Sequence, residues 1–215
     1  MSWKVDECKP LLYGPALRAR LKALGAVHPD VASTLVNIAN VYLFQGRFEE
    51  ALEQYGLALT IQLKTLGENH PNVASPMNNM AFVYQKLGRY DEALKFYERA
   101  LAVRQKSLGE AHPAVASTLF GMAGVYDMQG RYEEALELYG RALAVERTAM
   151  GEEHASVGDT MCNMAKMFNK AGRCEEAAAS YASAAVVYGK AYGDDHSYTV
   201  DARKNATLAR EKASE

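Results

Sequence analysis

His28, His70, His112, His154 and His196 are the only histidines in a chain of 215 residues, and each stands 42 residues after the last. Imidazole is a common metal ligand and the usual acid–base group near neutral pH. Glu152-Glu153-His154 and Asp194-Asp195-His196 set carboxylates beside two of the rings. The spacing argues against both chemistries. If each histidine marks one repeat, neighbouring copies lie at least one interhelical distance apart, roughly 8–10 Å, whereas the ligands of one zinc each sit about 2 Å from it. The rings are therefore expected to cap helices or to pack between repeats, with no metal and no cofactor. Cys8, Cys162 and Cys174 form no CxxC pair and no even-numbered framework, which reads as reduced thiols in a cytoplasmic setting. No nucleophile elbow or phosphate loop stands outside the periodic pattern, so no enzyme is expected.

The elements that carry these residues follow from the same period. Gly25, Gly67, Gly109, Gly151 and Gly193 keep the 42-residue step, as do Gly46-Arg47, Gly88-Arg89, Gly130-Arg131 and Gly172-Arg173. Residues 66–107 and 108–149 match at 24 of 42 positions without a gap. Within a unit, Val31, Leu35, Ile38, Ala39 and Tyr42 fall on one face of a first helix, A. Phe48, Ala51, Leu52, Tyr55, Ala58 and Leu59 do so on a second helix, B, with Glu49 and Glu50 in its first turn where the helix dipole favours them. Gly67 then stops helix B, and Pro29, Pro71 and Pro113 suit the first turn of a helix A. Each unit is a helical hairpin. Tyr55, Tyr97, Tyr139 and Tyr181 of the B helices are expected to fill the space left by Ala39, Ala81, Ala123 and Ala165 of the A helices.

A hairpin that is apolar on more than one face must stack on its neighbours. The spans are 1–23, an N-terminal segment with a truncated helix B; repeats at 24–65, 66–107, 108–149 and 150–191; and a polar capping helix at 192–215. Pro76, five residues into a helix A, is expected to disturb its first turns or delay it. Apolar residues make up 49% of the chain and charged residues 23%, which excludes a disordered chain. A net charge of −2 gives no basic excess for nucleic acid or an anionic membrane, and no stretch reaches the roughly 20 apolar residues that membrane insertion needs.

Glycine at the A-to-B turn, Ala51, an aromatic residue at Tyr55 and Ala58 resemble a tetratricopeptide repeat. Leu66-Gly67-Glu68-Asn69-His70-Pro71-Asn72-Val73-Ala74 and Met77-Asn78-Asn79-Met80-Ala81 are similar to the 42-residue subtype of kinesin light chains and nephrocystin-like proteins. The resemblance covers residues 10–213 or so. It implies an all-α, right-handed superhelical solenoid of about nine helices, and a concave groove lined by the A helices that holds a peptide segment of a partner protein. A carboxylate clamp is not implied: Asn40 and Asn79 fit its pattern, but Val36, Ser117 and Gly121 stand where it needs basic residues.

The groove residues this implies are Asn37, Asn40, Asn78, Asn79, Phe82, Lys86, Phe120, Gly121, Gly124, Met128, Asn163, Lys166 and Lys170. Asparagine carboxamides suit an extended peptide because each donates and accepts at once. Kinesin light chains read cargo peptides with an aromatic residue among acidic ones, and Asn37, Asn78, Asn79, Asn163, Lys86 and Lys166 are similar to their groove residues. Residues 1–23 hold no heptad stretch for a motor chain. Gly121 and Gly124, each costing helix A roughly 1 kcal/mol against alanine, are expected to leave a notch bordered by Phe82, Phe120 and Met128 for an apolar or aromatic side chain, with acid beside it. The expected function is a non-catalytic scaffold or adaptor. The alternative is a structural subunit that self-associates through its incomplete ends.

Overall fold

The computed structural model describes residues 9–214, in ten helices and no strand. These are α1 (Lys9–Leu24), α2 (Pro29–Phe44), α3 (Phe48–Leu66), α4 (Pro71–Lys86), α5 (Tyr90–Leu108), α6 (Pro113–Met128), α7 (Tyr132–Met150), α8 (Ala155–Lys170), α9 (Cys174–Tyr192) and α10 (Ser197–Ala213). The sequence implied about nine; the ten are the opening helix of 16 residues, the eight helices of four hairpins and the closing helix. Cys8 lies outside the described residues. Even-numbered helices from α2 to α8 are the A helices, and odd-numbered helices from α3 to α9 are the B helices, each 19 residues long.

Local sequence sets the boundaries. Each B helix opens on an acidic pair, such as Glu133 and Glu134 in α7, which meets the positive end of the helix dipole. Helices α3, α7 and α9 end on Gly67, Gly151 and Gly193 at positive φ, where a Cβ would be strained. Helix α4 runs unbroken through Pro76, so the expected delay does not occur. The one hydrogen bond this proline forfeits is to the carbonyl of exposed Asn72, which water can satisfy, while its ring is buried.

The chain divides into two compact units, Met1–Ser107 and Leu108–Glu215. In the first, α1, α2, α3 and α4 pack in chain order. Ala39, Ala51 and Tyr55 share a core with Val73, Ala74 and Met77, and Tyr84 stacks on Phe96 of α5 with centroids 5.4 Å apart. In the second, α6 to α10 pack in chain order, and Tyr181 lies against Ala165, Ala177 and Ala206. The alternation of bulky and small is as the sequence implied: Tyr55, Tyr97, Tyr139 and Tyr181 are at most 5% exposed, and Ala39, Ala81, Ala123 and Ala165 are fully buried. Burying a large side chain contributes about 1.5–3 kcal/mol.

Candidate functional site

The histidines are structural. Each is the N-cap of its helix, and its Nδ1 accepts a hydrogen bond from the backbone N–H two residues on: Asp30 and Asn72 at 3.2 Å, Ala114 at 3.1 Å, Ser156 and Tyr198 at 3.3 Å. A helix start leaves such N–H groups without an intrahelical partner, and the ring supplies the acceptor. No group of three or more His, Cys, Asp or Glu side chains among the described residues is arranged to hold a metal ion.

The repeated Gly-Arg pair is structural too. Gly46 adopts φ 72°, its N–H bonds to the Leu43 carbonyl, and the Arg47 N–H reaches back to the Tyr42 carbonyl at 2.9 Å, closing a Schellman motif. The arginine then turns its guanidinium over the aromatic ring of that helix end. Arg47, Arg89, Arg131 and Arg173 stand 4.3, 4.6, 4.4 and 4.6 Å from the centroids of Tyr42, Tyr84, Tyr126 and Phe168. Each also pairs with the glutamate three residues on, Glu50, Glu92, Glu134 or Glu176. Hydrogen bonds from the arginines hold these carboxyls below their ordinary range.

What remains for binding is the outer face of the A helices. In the first unit Asn79 donates to the Asn40 carboxamide oxygen at 3.4 Å, so these side chains of α2 and α4 share one surface. Asn40 also accepts from the buried Tyr55 hydroxyl, whose titration burial pushes up to about 12. Asn40 is thus committed inward rather than free for a ligand. Asn78 accepts from Arg104 at 3.1 Å. Asn37 is exposed, and so are Phe82 (37%) and Lys86, whose Nζ stands 5.0 Å from the Phe82 centroid.

In the second unit Phe120 meets Tyr139 edge-on at 5.1 Å, Gly121 and Gly124 are half-buried in α6, and Met128 is 50% exposed. Asn163 donates to the Asp159 carbonyl and accepts from Lys166, while Lys170 pairs with Asp127 and so ties α8 to α6. The predicted residues do lie on A helices, but several spend their polar groups within the protein. Phe44, 89% exposed at the end of α2, is a bare aromatic beside this face. Its register is Lys86, Met128 and Lys170 in the later repeats, a signal that was present in the sequence.

A second column went unread in the sequence. Gln62, Arg104, Glu146 and Tyr188 occupy one helix-B register and face inward. Glu146 is 6% exposed with its carboxyl beside the hydroxyl of fully buried Thr160, and burial raises its titration while that hydroxyl pulls it the other way. Tyr188 donates to Asp159 at 2.7 Å and lies against Gly158, where an added Cβ would come within 2.7 Å of the ring.

Capped A helices, arginine-locked corners and Tyr/Ala interlock define an all-α protein of stacked helical hairpins. The family model for the tetratricopeptide repeat matches residues 12–64, 30–81, 72–148 and 129–190, and the chain belongs to that family. No curated protein sequence matches it. Among solved structures it is similar to BtubC (BKLC) from P. vanneervenii, with 28% identity and TM-score 0.76 over 85% of this chain and 73% of that one. It is also similar to two structures of a kinesin light chain-like protein of Podosopora anserina with nearly identical TPR-like repeats. Identity to each is 25%, with TM-scores of 0.72 and 0.70 over 85% of this chain and 86% and 87% of those. The repeats are of the kinesin light chain-like type, and as tetratricopeptide repeats they make a protein-interaction scaffold in general. No described helix is long and apolar enough to cross a membrane.

Proposed function

We propose that this chain is a non-catalytic adaptor that binds an extended peptide segment of a partner protein on the outer faces of its A helices. Phe82 carries the reading: a large aromatic residue held 37% exposed on α4, with the Lys86 ammonium over its ring and Asn79 one turn before it on the same helix. An apolar contact, a cation and a carboxamide at one place suit a peptide with an aromatic or apolar side chain next to acid. Asn37, Phe44, Asn78 and Asn79 extend that face in the first unit, and Phe120, Gly121, Gly124, Met128, Asn163, Lys166 and Lys170 offer its counterpart in the second. Anisotropy of a fluorescein-labelled acidic peptide bearing one tryptophan tests it. Phe82→Ala and Lys86→Glu are each expected to weaken binding roughly tenfold, as a central aromatic anchor and a charge reversal do. Undiminished binding by both variants overturns the reading.

Self-association is the second reading, favoured by α9 and α10. Val186 is 60% exposed, and Val200 and Leu208 are 49% and 45% exposed. Sedimentation over a concentration range separates the two readings: a purely monomeric chain excludes self-association.

A further inference from the structure

The corner between α9 and α10 differs from every earlier helix-B to helix-A corner. Tyr188, Tyr192 and Tyr198 meet there, at registers held in the three preceding repeats by Gln62, Arg104 and Glu146, by Leu66, Leu108 and Met150, and by Asn72, Ala114 and Ser156. The cap histidine organises them. His196 is fixed by the hydrogen bond its Nδ1 accepts from the Tyr198 N–H, and its ring stacks on Tyr192 with centroids 4.7 Å apart. Tyr198 meets both rings edge-on, 5.9 Å from Tyr192 and 5.1 Å from His196, and Tyr188 supports the group from the buried side at 5.6 and 6.2 Å. Despite this packing Tyr192 remains 47% and Tyr198 53% exposed. The internal fold needs neither ring outside, since aliphatic or small residues serve at the other corners.

The charge around the rings is one-sided. Lys190 is committed to Glu153 at 2.8 Å and Arg203 to Asp194. Asp195, next to His196, and Asp201, one turn after Tyr198 on the same face of α10, are exposed and have no ion pair among the described residues. Aromatic faces carry negative quadrupole charge and attract cations, and guanidinium stacks on them better than ammonium does.

We propose that the Tyr192–His196–Tyr198 corner is a docking site for an arginine-bearing segment of a partner protein, with Asp195 and Asp201 as the paired acids. The site is separate from the A-helix face and takes the opposite charge. Calorimetric titration of the full chain at low ionic strength with a short capped glycine–arginine peptide, and with its lysine and glutamate counterparts, tests it. The arginine peptide is expected to bind, the lysine peptide more weakly, and the glutamate peptide not at all.

Tyr192→Leu with Tyr198→Ser installs residue types the same registers carry elsewhere, so the fold is retained, and it is expected to weaken arginine-peptide binding roughly tenfold. Asp195→Asn with Asp201→Asn is expected to weaken it several-fold and to flatten its salt dependence. Phe82→Ala leaves it unchanged, which keeps the test distinct from that of the A-helix face. The proposal fails if arginine and glutamate peptides bind alike, or if the tyrosine variant binds as well as the parent. It fails too if sedimentation shows the chain dimerising and the tyrosine variant abolishing the dimer, which assigns the corner to a second copy.

Discussion

The four A-to-B corners and the inward column of the B helices make opposite use of one repeat. At the corners the same glycine, arginine, aromatic ring and glutamate recur, and the same geometry recurs with them, within 0.3 Å in the guanidinium-to-ring distance. In the column every copy differs: the Gln62 carboxamide oxygen is buried without a hydrogen-bond partner among the described residues, and Arg104, Glu146 and Tyr188 each meet a different neighbour. The corner is closed by residues at most five apart in sequence, so repetition of sequence guarantees repetition of structure. The column is closed by another helix, so each residue's role depends on what that helix brings. Arg104 bonds to Asn78, Glu146 lies beside the Thr160 hydroxyl, and Tyr188 occupies the space of a missing Cβ.

The sharpest way to break this contrast is Gly158→Ala. Helix propensity alone says alanine stabilises α8 by roughly 1 kcal/mol. The new Cβ would sit 2.7–3.0 Å from three ring atoms of a tyrosine that is 5% exposed. Overpacking of this kind costs about 1–3 kcal/mol, so a lower urea midpoint is expected, with recovery when Tyr188→Gln is added. A stabilised single variant would mean that the column is not coupled to its neighbour.

A corner glycine tests the other side. Gly130 holds φ 73°, and alanine there is expected to cost about 1–2 kcal/mol. Gly140 sits mid-helix in α7 with open space around its Cβ position, and alanine there is expected to gain about 0.5–1 kcal/mol. Thermal unfolding of the two variants should move in opposite directions.

His112→Ala removes the acceptor for the Ala114 N–H and is expected to lower stability by roughly 1 kcal/mol, whereas His112→Asn, a good N-cap, should stay near the parent. Equal losses in both would show that the ring matters for packing and not for the cap.

The smallest effect expected is in the column. Burial holds the Glu146 carboxyl above its ordinary range, so its protonated form suits the fold. The stability this gives is complete in acid and is lost as the pH rises through the titration of the buried group. Glu146→Gln is therefore expected to unfold at a higher temperature than the parent at neutral pH and to match it in acid. A pH-independent difference would contradict the assignment.

The period alone determined most of the fold. A 42-residue step in glycine, histidine and the Gly-Arg pair fixes hairpin boundaries because capping and Schellman closure are local, needing only residues a few positions apart. Alternating tyrosine and alanine determined which faces pack. The helix-A registers were legible in the same way, so Phe82, Lys86 and the asparagines could be placed on the A helices from the sequence. That Asn40 is spent on Tyr55 and Lys170 on Asp127 was decided by tertiary structure, because those partners come from other helices. The same reason hid the column and the tyrosine corner. A residue that departs from its repeat looks in sequence like drift, and only the helix packed against it shows whether it fills a space, buries a charge or stands exposed at a surface.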